Sequence, residues 1–283
     1  MTAASDLYCV LGNPVAHSRS PWIHARFAEL TGERLRYEAR LVPIGGFADA
    51  LAQLAAEGAR GCNVTVPFKL EAASAATACS ERVRLAGAAN TLSFAGGAIV
   101  ADNTDGLGLV ADITQGAGFG LAGRDVLLLG AGGAAAGALG PLLQQAPRRL
   151  LVANRTLERA EALVQAHAAL ASLHKVELSF QSPQALEHDF DLVLNATASS
   201  LAGAAVPVPA GVLRAGGLAY DMMYGPAAQG FLDWARAGGA EARDGLGMLV
   251  EQAAEAFALW RGVRPPSAQV LAELRAALAE PAP

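Results

Sequence analysis

The stretch VLLLGAGGAAAG, residues 126–137, decides the fold. An apolar run passes straight into glycines, and the glycines into an alanine-rich segment. A buried strand, a tight turn and a helix produce that order. Gly130 permits the turn, and Gly132 lets a pyrophosphate approach the backbone. The helix start then offers unsatisfied N–H groups and a favourable dipole. Ala135 stands where the GxGxxG pattern carries its third glycine, a tolerated variant.

The following strand ends at Asn154-Arg155-Thr156, with Arg159 one helical turn on. A carboxylate at this place would bind an adenosine ribose 2′-hydroxyl, and there is none. Arginine instead attracts a 2′-phosphate, often through two parallel hydrogen bonds. The chemistry points to NADP rather than NAD.

Outward from that loop, residues 125–129, 150–153, 176–180, 191–195, 218–221 and 238–243 read as strands. Helices are expected at 157–171 and 183–188, and from the glycines to about residue 145. Towards the N-terminus the same alternation recurs. Strands are expected at 7–11, 37–42, 61–66, 89–94 and 98–102, the last two joined by Gly96-Gly97 as a hairpin. Helices are expected from Ser20-Pro21, with Ser20 as N-cap, to about residue 30, then at 46–58 and 71–78. Residues 106–123 read as a helix followed by a loop. Two long helices, 246–260 and 267–278, follow the last strand, and the pattern alone leaves open which half they cover. The fold class is α/β: two α/β domains with parallel sheets and covering helices.

The chain of 283 residues is 53% hydrophobic and 17% charged, with a net charge of −5, enough to build sizeable cores. No basic patch suggests nucleic acid and no polybasic segment a membrane surface. No signal peptide and no transmembrane run are read. Three cysteines, at 9, 62 and 79, match no zinc spacing. Reduced thiols in a cytoplasmic protein are the simplest account.

Polar residues gather at the expected strand ends of the first half. GNPVAHSRSP, residues 12–21, places Ser18 and Ser20 before a helix, where two hydroxyls suit a polyol or carboxylate. Asn63 and Thr65 alternate with Val64 and Val66, so each pair is expected on its own face. Pro67-Phe68 then halts the strand and Lys69 follows. The chain holds 19 arginines and two lysines, Lys69 and Lys175, which makes Lys69 conspicuous. AANT at 88–91 and DNTDG at 102–106 add amides and carboxylates, with Asp105 as an acid–base partner. His17 and His24 are weaker proton-donor candidates, because capping or packing is the commoner role. The residues alone thus describe an NADP-linked oxidoreductase with a polar site containing Lys69 and Asp105.

GNPVAHSRSP, NVTVPFK, GAANT, DNTDG, GAGGAA, NRT, YDM and GLGMLVEQAAEAF, taken in order from residue 12 to 257, resemble the shikimate dehydrogenase family. The resemblance implies reversible reduction of 3-dehydroshikimate to shikimate with NADPH, on the route to chorismate and the aromatic amino acids. It implies Lys69 and Asp105 as the catalytic pair. Ser18 and Ser20 would bind the substrate carboxylate, and Asn63, Thr65, Asn90 and Gln252 the carboxylate or ring hydroxyls, with Tyr224 reaching towards substrate. Gly130, Ala131, Gly132, Gly133 and Ala134 would line the pyrophosphate. Asn154, Arg155, Thr156 and Arg159 would hold the adenosine phosphate end, and Thr197, Met222 and Gly245 would stand on the nicotinamide side. No metal is implied. The implied architecture is a substrate-binding domain, 1–106 with 246–283, and a Rossmann-type NADP-binding domain, 107–245. The C-terminal helices return to the first domain, and a cleft that opens and closes lies between the two. Monomer and homodimer are both compatible.

The chain departs from its relatives' commoner forms in three places: after Thr197 in NATASSLAG, in GPAAQGF after Tyr224, and at Glu251 and Glu255. None removes a proposed catalytic group. Two alternatives stand beside the main reading. One is a paralogue that also uses quinate or NAD. The other is a dinucleotide-binding regulatory protein without catalysis, for which loss of Lys69 or Asp105 would have been the mark.

Overall fold

A computed structural model describes residues 5–186, 189–197, 208–209 and 211–279. The chain divides into two compact units, residues 1–108 with 250–283 and residues 109–249.

The first unit holds six strands: β1 (Asp6–Gly12), β2 (Leu35–Leu41), β3 (Gly61–Val64), β4 (Ala78–Cys79), β5 (Thr91–Ala95) and β6 (Ala98–Asp102). Their order in the sheet is β2-β1-β3-β5-β6-β4. β1 runs parallel to β2 and β3, β5 antiparallel to β3, and β6 antiparallel to β5. The carboxyl ends of β1, β3 and β6 and the amino end of β5 therefore share one edge. The hairpin between β5 and β6 turns on Gly96 and Gly97, both at positive φ, the geometry its two-residue loop requires. The helices are α1 (Ser20–Thr31), α2 (Phe47–Ala56), α3 (Lys69–Ala75), α4 (Glu81–Ala86) and the start of α5 (Asp105–Ala111), which from Leu109 belongs to the second unit. Leu7, Cys9, Leu11, Cys62 and Val64 from the sheet pack with Phe47, Leu51, Leu54 and Phe68 in its core.

The second unit holds β7 (Asp125–Leu129), β8 (Arg149–Ala153), β9 (Glu177–Gln181), β10 (Phe190–Asn195), β11 (Leu213–Asp221) and β12 (Glu241–Arg243). All neighbours are parallel, in the order β12-β11-β10-β7-β8-β9. Numbered within the unit and read from the other edge, this is 3-2-1-4-5-6, the dinucleotide-binding order, with its switch point between β7 and β10. Its helices are α6 (Gly133–Leu143), α7 (Leu157–Leu173) and α8 (Gln229–Ala237). Every residue of β7 is buried, as a strand covered on both faces must be.

α9 (Leu246–Arg261) and α10 (Ser267–Ala279) end the chain, and from Val250 on they belong to the first unit. The Trp260 indole donates to Leu92 O at 3.1 Å. Arg26 on α1 grips Glu273 on α10 through two bonds of 2.7 and 2.9 Å. Sequence pattern leaves these helices unassigned, and the contacts return them to the first sheet.

Several local expectations are corrected. β3 stops at Val64, and Val66 is 61% exposed while Val64 is buried. The two valines do not share a face, because the alternation ends with the strand. α3 starts at Lys69 rather than residue 71. Ser20 is not a side-chain cap: Arg19 holds the cap position, and the Ser20 backbone N–H donates to Ser18 Oγ at 3.3 Å. β4 and α4 are additions that the sequence pattern does not foresee. The segment after α5 is a π-helical turn, Asp112–Gly116. The expected helix at 183–188 is a short 3₁₀ turn, Pro183–Ala185, and residues 187 and 188 lie outside the described residues.

Candidate active site

Lys69 is placed by its neighbours. Phe68 is fully buried and stacks on Phe47, with ring centroids 5.3 Å apart. That anchor makes Lys69 the first residue of α3, where its carbonyl accepts from the Ala89 N–H at 2.9 Å. The ammonium donates to Asp105 Oδ2 at 2.5 Å, and the two side chains are 22% and 10% exposed. Asp105 opens α5 just beyond β6. Lys69 and Asp105 thus meet because β3 and β6 end at the same sheet edge.

An amide and hydroxyl network holds the pair. Asn90 Nδ2 lies 2.8 Å from Asp105 Oδ1, 2.9 Å from Thr104 Oγ1 and 3.2 Å from Gln252 Oε1 on α9. Asn90 Oδ1 accepts from the Thr104 N–H at 2.8 Å and from the Thr91 hydroxyl at 2.9 Å. Asn90 is buried, and its amide ties Asp105 to Gln252. Asn63 Nδ2 donates to Asn90 O and Thr91 Oγ1, at 3.1 and 3.0 Å. Thr65 presses its methyl on Gly12, where an added Cβ would stand 2.4 Å away, so a side chain at 12 would displace it. Sequence reading did not single out Thr91, Thr104 and Asn103, although all three stand inside the AANT and DNTDG stretches.

Ser18 is half-buried and Ser20 buried at the start of α1, beyond β1. His17 is exposed. His24 lies in an aromatic cluster, stacked on Tyr37 at 4.1 Å with Phe27, Phe257 and Trp260 around it. Burial holds its pKa down at about 3, and the neighbouring Asn63 amide opposes this only in part. His24 is a packing residue without a proton to give near neutral pH.

In the second unit, Gly130 turns at φ 105° with the Ala196 carbonyl 3.1 Å from where a Cβ would stand. Gly132 and Gly133 face open space, Ala131 and Ala134 are half-buried, and α6 has no side-chain cap. Its first N–H groups remain available to an anion, on backbone that a pyrophosphate can approach. At the end of β8, Asn154 Nδ2 donates to Thr156 O at 2.8 Å. Arg155 and Arg159 are exposed, and neither has an ion-pair partner among the described residues. Two uncommitted guanidinium groups beside an open glycine loop fit NADP.

Thr197 is tied by its N–H and hydroxyl to Asn195 Oδ1, at 3.1 and 2.7 Å. The Met222 N–H donates to Asn195 O at 3.0 Å. Gly245 lies against the Met222 backbone, where a Cβ would come within 2.3 Å of its carbonyl oxygen. Thr197, Met222 and Gly245 therefore share the carboxyl edge of the second sheet. Tyr224 is half-buried in this unit, whereas the other substrate candidates belong to the first. The departure after Thr197 lies outside the described residues. Glu251 and Glu255 both pair with Arg264, the former at 2.8 Å, which accounts for carboxylates on this face of α9.

Three family models match the chain. "Shikimate dehydrogenase substrate binding domain" covers residues 10–92, "Shikimate / quinate 5-dehydrogenase" 112–203 and "Shikimate 5'-dehydrogenase C-terminal domain" 245–275. The shikimate dehydrogenase (NADP(+)) of Acidovorax sp. (strain JS42) is 76% identical over 279 residues, 99% of each chain. Among solved structures, an Ael1 enzyme from Pseudomonas putida is 46% identical with a TM-score of 0.88, covering 95% of this chain and 98% of its own. Shikimate 5-dehydrogenase from Thermus thermophilus, in complex with NADP(H) and shikimate, is 32% identical with a TM-score of 0.84, covering 96% of this chain and 99% of its own. With likeness at this level along the full length, on a fold whose strand ends gather the expected groups, the chain belongs to the shikimate dehydrogenase family.

Proposed function

We propose that this chain catalyses the reversible, NADP-dependent reduction of 3-dehydroshikimate to shikimate. The observation that carries the reading is the Lys69–Asp105 ion pair, 2.5 Å long, set in the Asn90–Gln252 network at a sheet edge rich in hydroxyls and amides. Arginine, the cation this chain uses almost everywhere else, delivers and accepts protons poorly, and lysine does both.

NADPH supplies the hydride when bound. Gly130, Ala131, Gly132, Gly133 and Ala134 hold its pyrophosphate, and Asn154, Arg155, Thr156 and Arg159 its 2′-phosphate. Thr197, Met222 and Gly245 shape the nicotinamide side. Ser18 and Ser20 take the substrate carboxylate by hydroxyl donation. Asn63, Thr65, Asn90 and Gln252 address the carboxylate or ring hydroxyls, and Tyr224 reaches towards substrate. As the C3 carbonyl is reduced, negative charge grows on its oxygen, and Lys69 stabilises that charge and takes part in protonating it. Asp105 keeps the ammonium in place and accepts from the substrate hydroxyl, while Asn90 keeps Asp105 from turning. The three free cysteines, two of them buried, fit a reducing cytoplasm.

The test is the oxidation of shikimate by the purified protein with NADP, followed by the absorbance of the reduced cofactor. Lys69→Ala should lower kcat about a thousandfold, with shikimate affinity changed far less. Near-normal turnover in Lys69→Ala would remove the pair from the mechanism.

A further inference from the structure

Tyr37 lies on β2, the edge strand, 26 residues from Asn63 in sequence, yet its hydroxyl is 2.7 Å from Asn63 Oδ1. The polarity of this bond follows from the atoms around it. Asn63 Nδ2 faces the Asn90 carbonyl oxygen at 3.1 Å, an atom that can only accept. It also faces Thr91 Oγ1 at 3.0 Å, whose own proton goes to Asn90 Oδ1. The amide is thereby fixed with its oxygen towards Tyr37, and the phenol proton points at that oxygen. Both N–H groups of Asn63 are in use, so towards any further group its amide can only accept. The ring of Tyr37 is held parallel to His24, 4.1 Å away at an interplanar angle of 4°.

We propose that Tyr37 is a positioning residue that holds Oδ1 of Asn63 in place as an acceptor-only reader, so that Asn63 selects a substrate hydroxyl and disfavours a carboxylate or carbonyl at that point. The inference rests on the shikimate dehydrogenase reading above. It adds a residue that makes no proposed contact with substrate and acts through Asn63, while its hydroxyl also neighbours Ser20. His24 serves as an uncharged wedge that fixes the phenol ring, and removal of the hydroxyl alone leaves this stack in place. Without the phenol donor, the amide loses one of the bonds that hold it.

The test compares steady-state kinetics of the wild type, Tyr37→Phe, Asn63→Ala and the double variant. Wild-type turnover of shikimate with NADP is measured first and decides the underlying reading separately. Tyr37→Phe should raise the KM for shikimate roughly tenfold, with kcat within about threefold and the KM for NADP unchanged. In the Asn63→Ala background the same substitution should change the KM for shikimate less than about twofold, because the two residues act as one unit. An unchanged KM for shikimate in Tyr37→Phe overturns the proposal, as does a full tenfold effect in both backgrounds. Should Tyr37→Phe fail to fold, Asn63→Ala still decides: an unchanged KM for shikimate there leaves Asn63 with nothing to read and ends the proposal.

Discussion

Lys69 and His24 show how placement assigns a job to a side chain. Lys69 is aimed by a buried phenylalanine on one side and an aspartate on the other. Its rarity in the composition is visible from the residues alone, but its partner is not, because Asp105 lies 36 positions on. Only the shared edge of β3 and β6 makes them neighbours. Tyr37 escapes a sequence reading for the same reason: a tyrosine on an edge strand carries no signal of the amide it meets across the sheet. His24 is legible only as a histidine near two serines, and its aromatic surroundings decide the matter. Its pKa is about 3 in the folded protein against 6.5 as the ordinary value, so the unfolded chain binds the additional proton between those limits. The stabilisation is complete above about pH 6.5 and is lost as pH falls towards 3. Between pH 6 and pH 4 the wild type should lose ~1.4 kcal/mol per pH unit more than His24→Phe, read from urea midpoints at each pH. Parallel curves for the two proteins would show that His24 is not held neutral.

The β7–loop–α6 element is readable in full, because a buried parallel strand leaves a continuous apolar run and the loop needs glycine. Elements at the edges are less readable. β4 has two residues and α4 six, too short for a period to show. β3 ends two residues before its apolar pattern does, since the chain turns through Pro67 into α3. The glycine loop also offers a test at its own scale. Gly132 has φ −94°, which any residue adopts, and an added Cβ meets nothing within 4 Å. Gly132→Ala should therefore melt within a few degrees of the wild type, yet raise the KM for NADP at least roughly tenfold by filling the space of the pyrophosphate. A raised melting loss with unchanged KM for NADP would mean that the glycine serves the fold and not the cofactor.

Across the whole chain, two α/β units divide the work: one gathers hydroxyls, amides and the Lys69–Asp105 pair, the other an open anion site and two arginines. The alternation of strand and helix announces both sheets. It announces the β5–β6 hairpin but not its insertion antiparallel to β3, which delivers Asn90 and Asp105 to the same edge, nor the return of α9 with Gln252. Those depend on strand order and helix packing, which a local pattern does not encode. The described residues contain no helix long and apolar enough to cross a membrane. At this scale the account stands on substrate and cofactor choice together, because each unit supplies one half of it. The direct measurement is kcat/KM for shikimate and for quinate, each with NADP and with NAD, on the same purified protein. Shikimate with NADP should exceed each other combination by at least about tenfold, the choice of NADP resting on Arg155 and Arg159 beside a neutral Asn154 at the end of β8. A preference for quinate or for NAD would contradict the account.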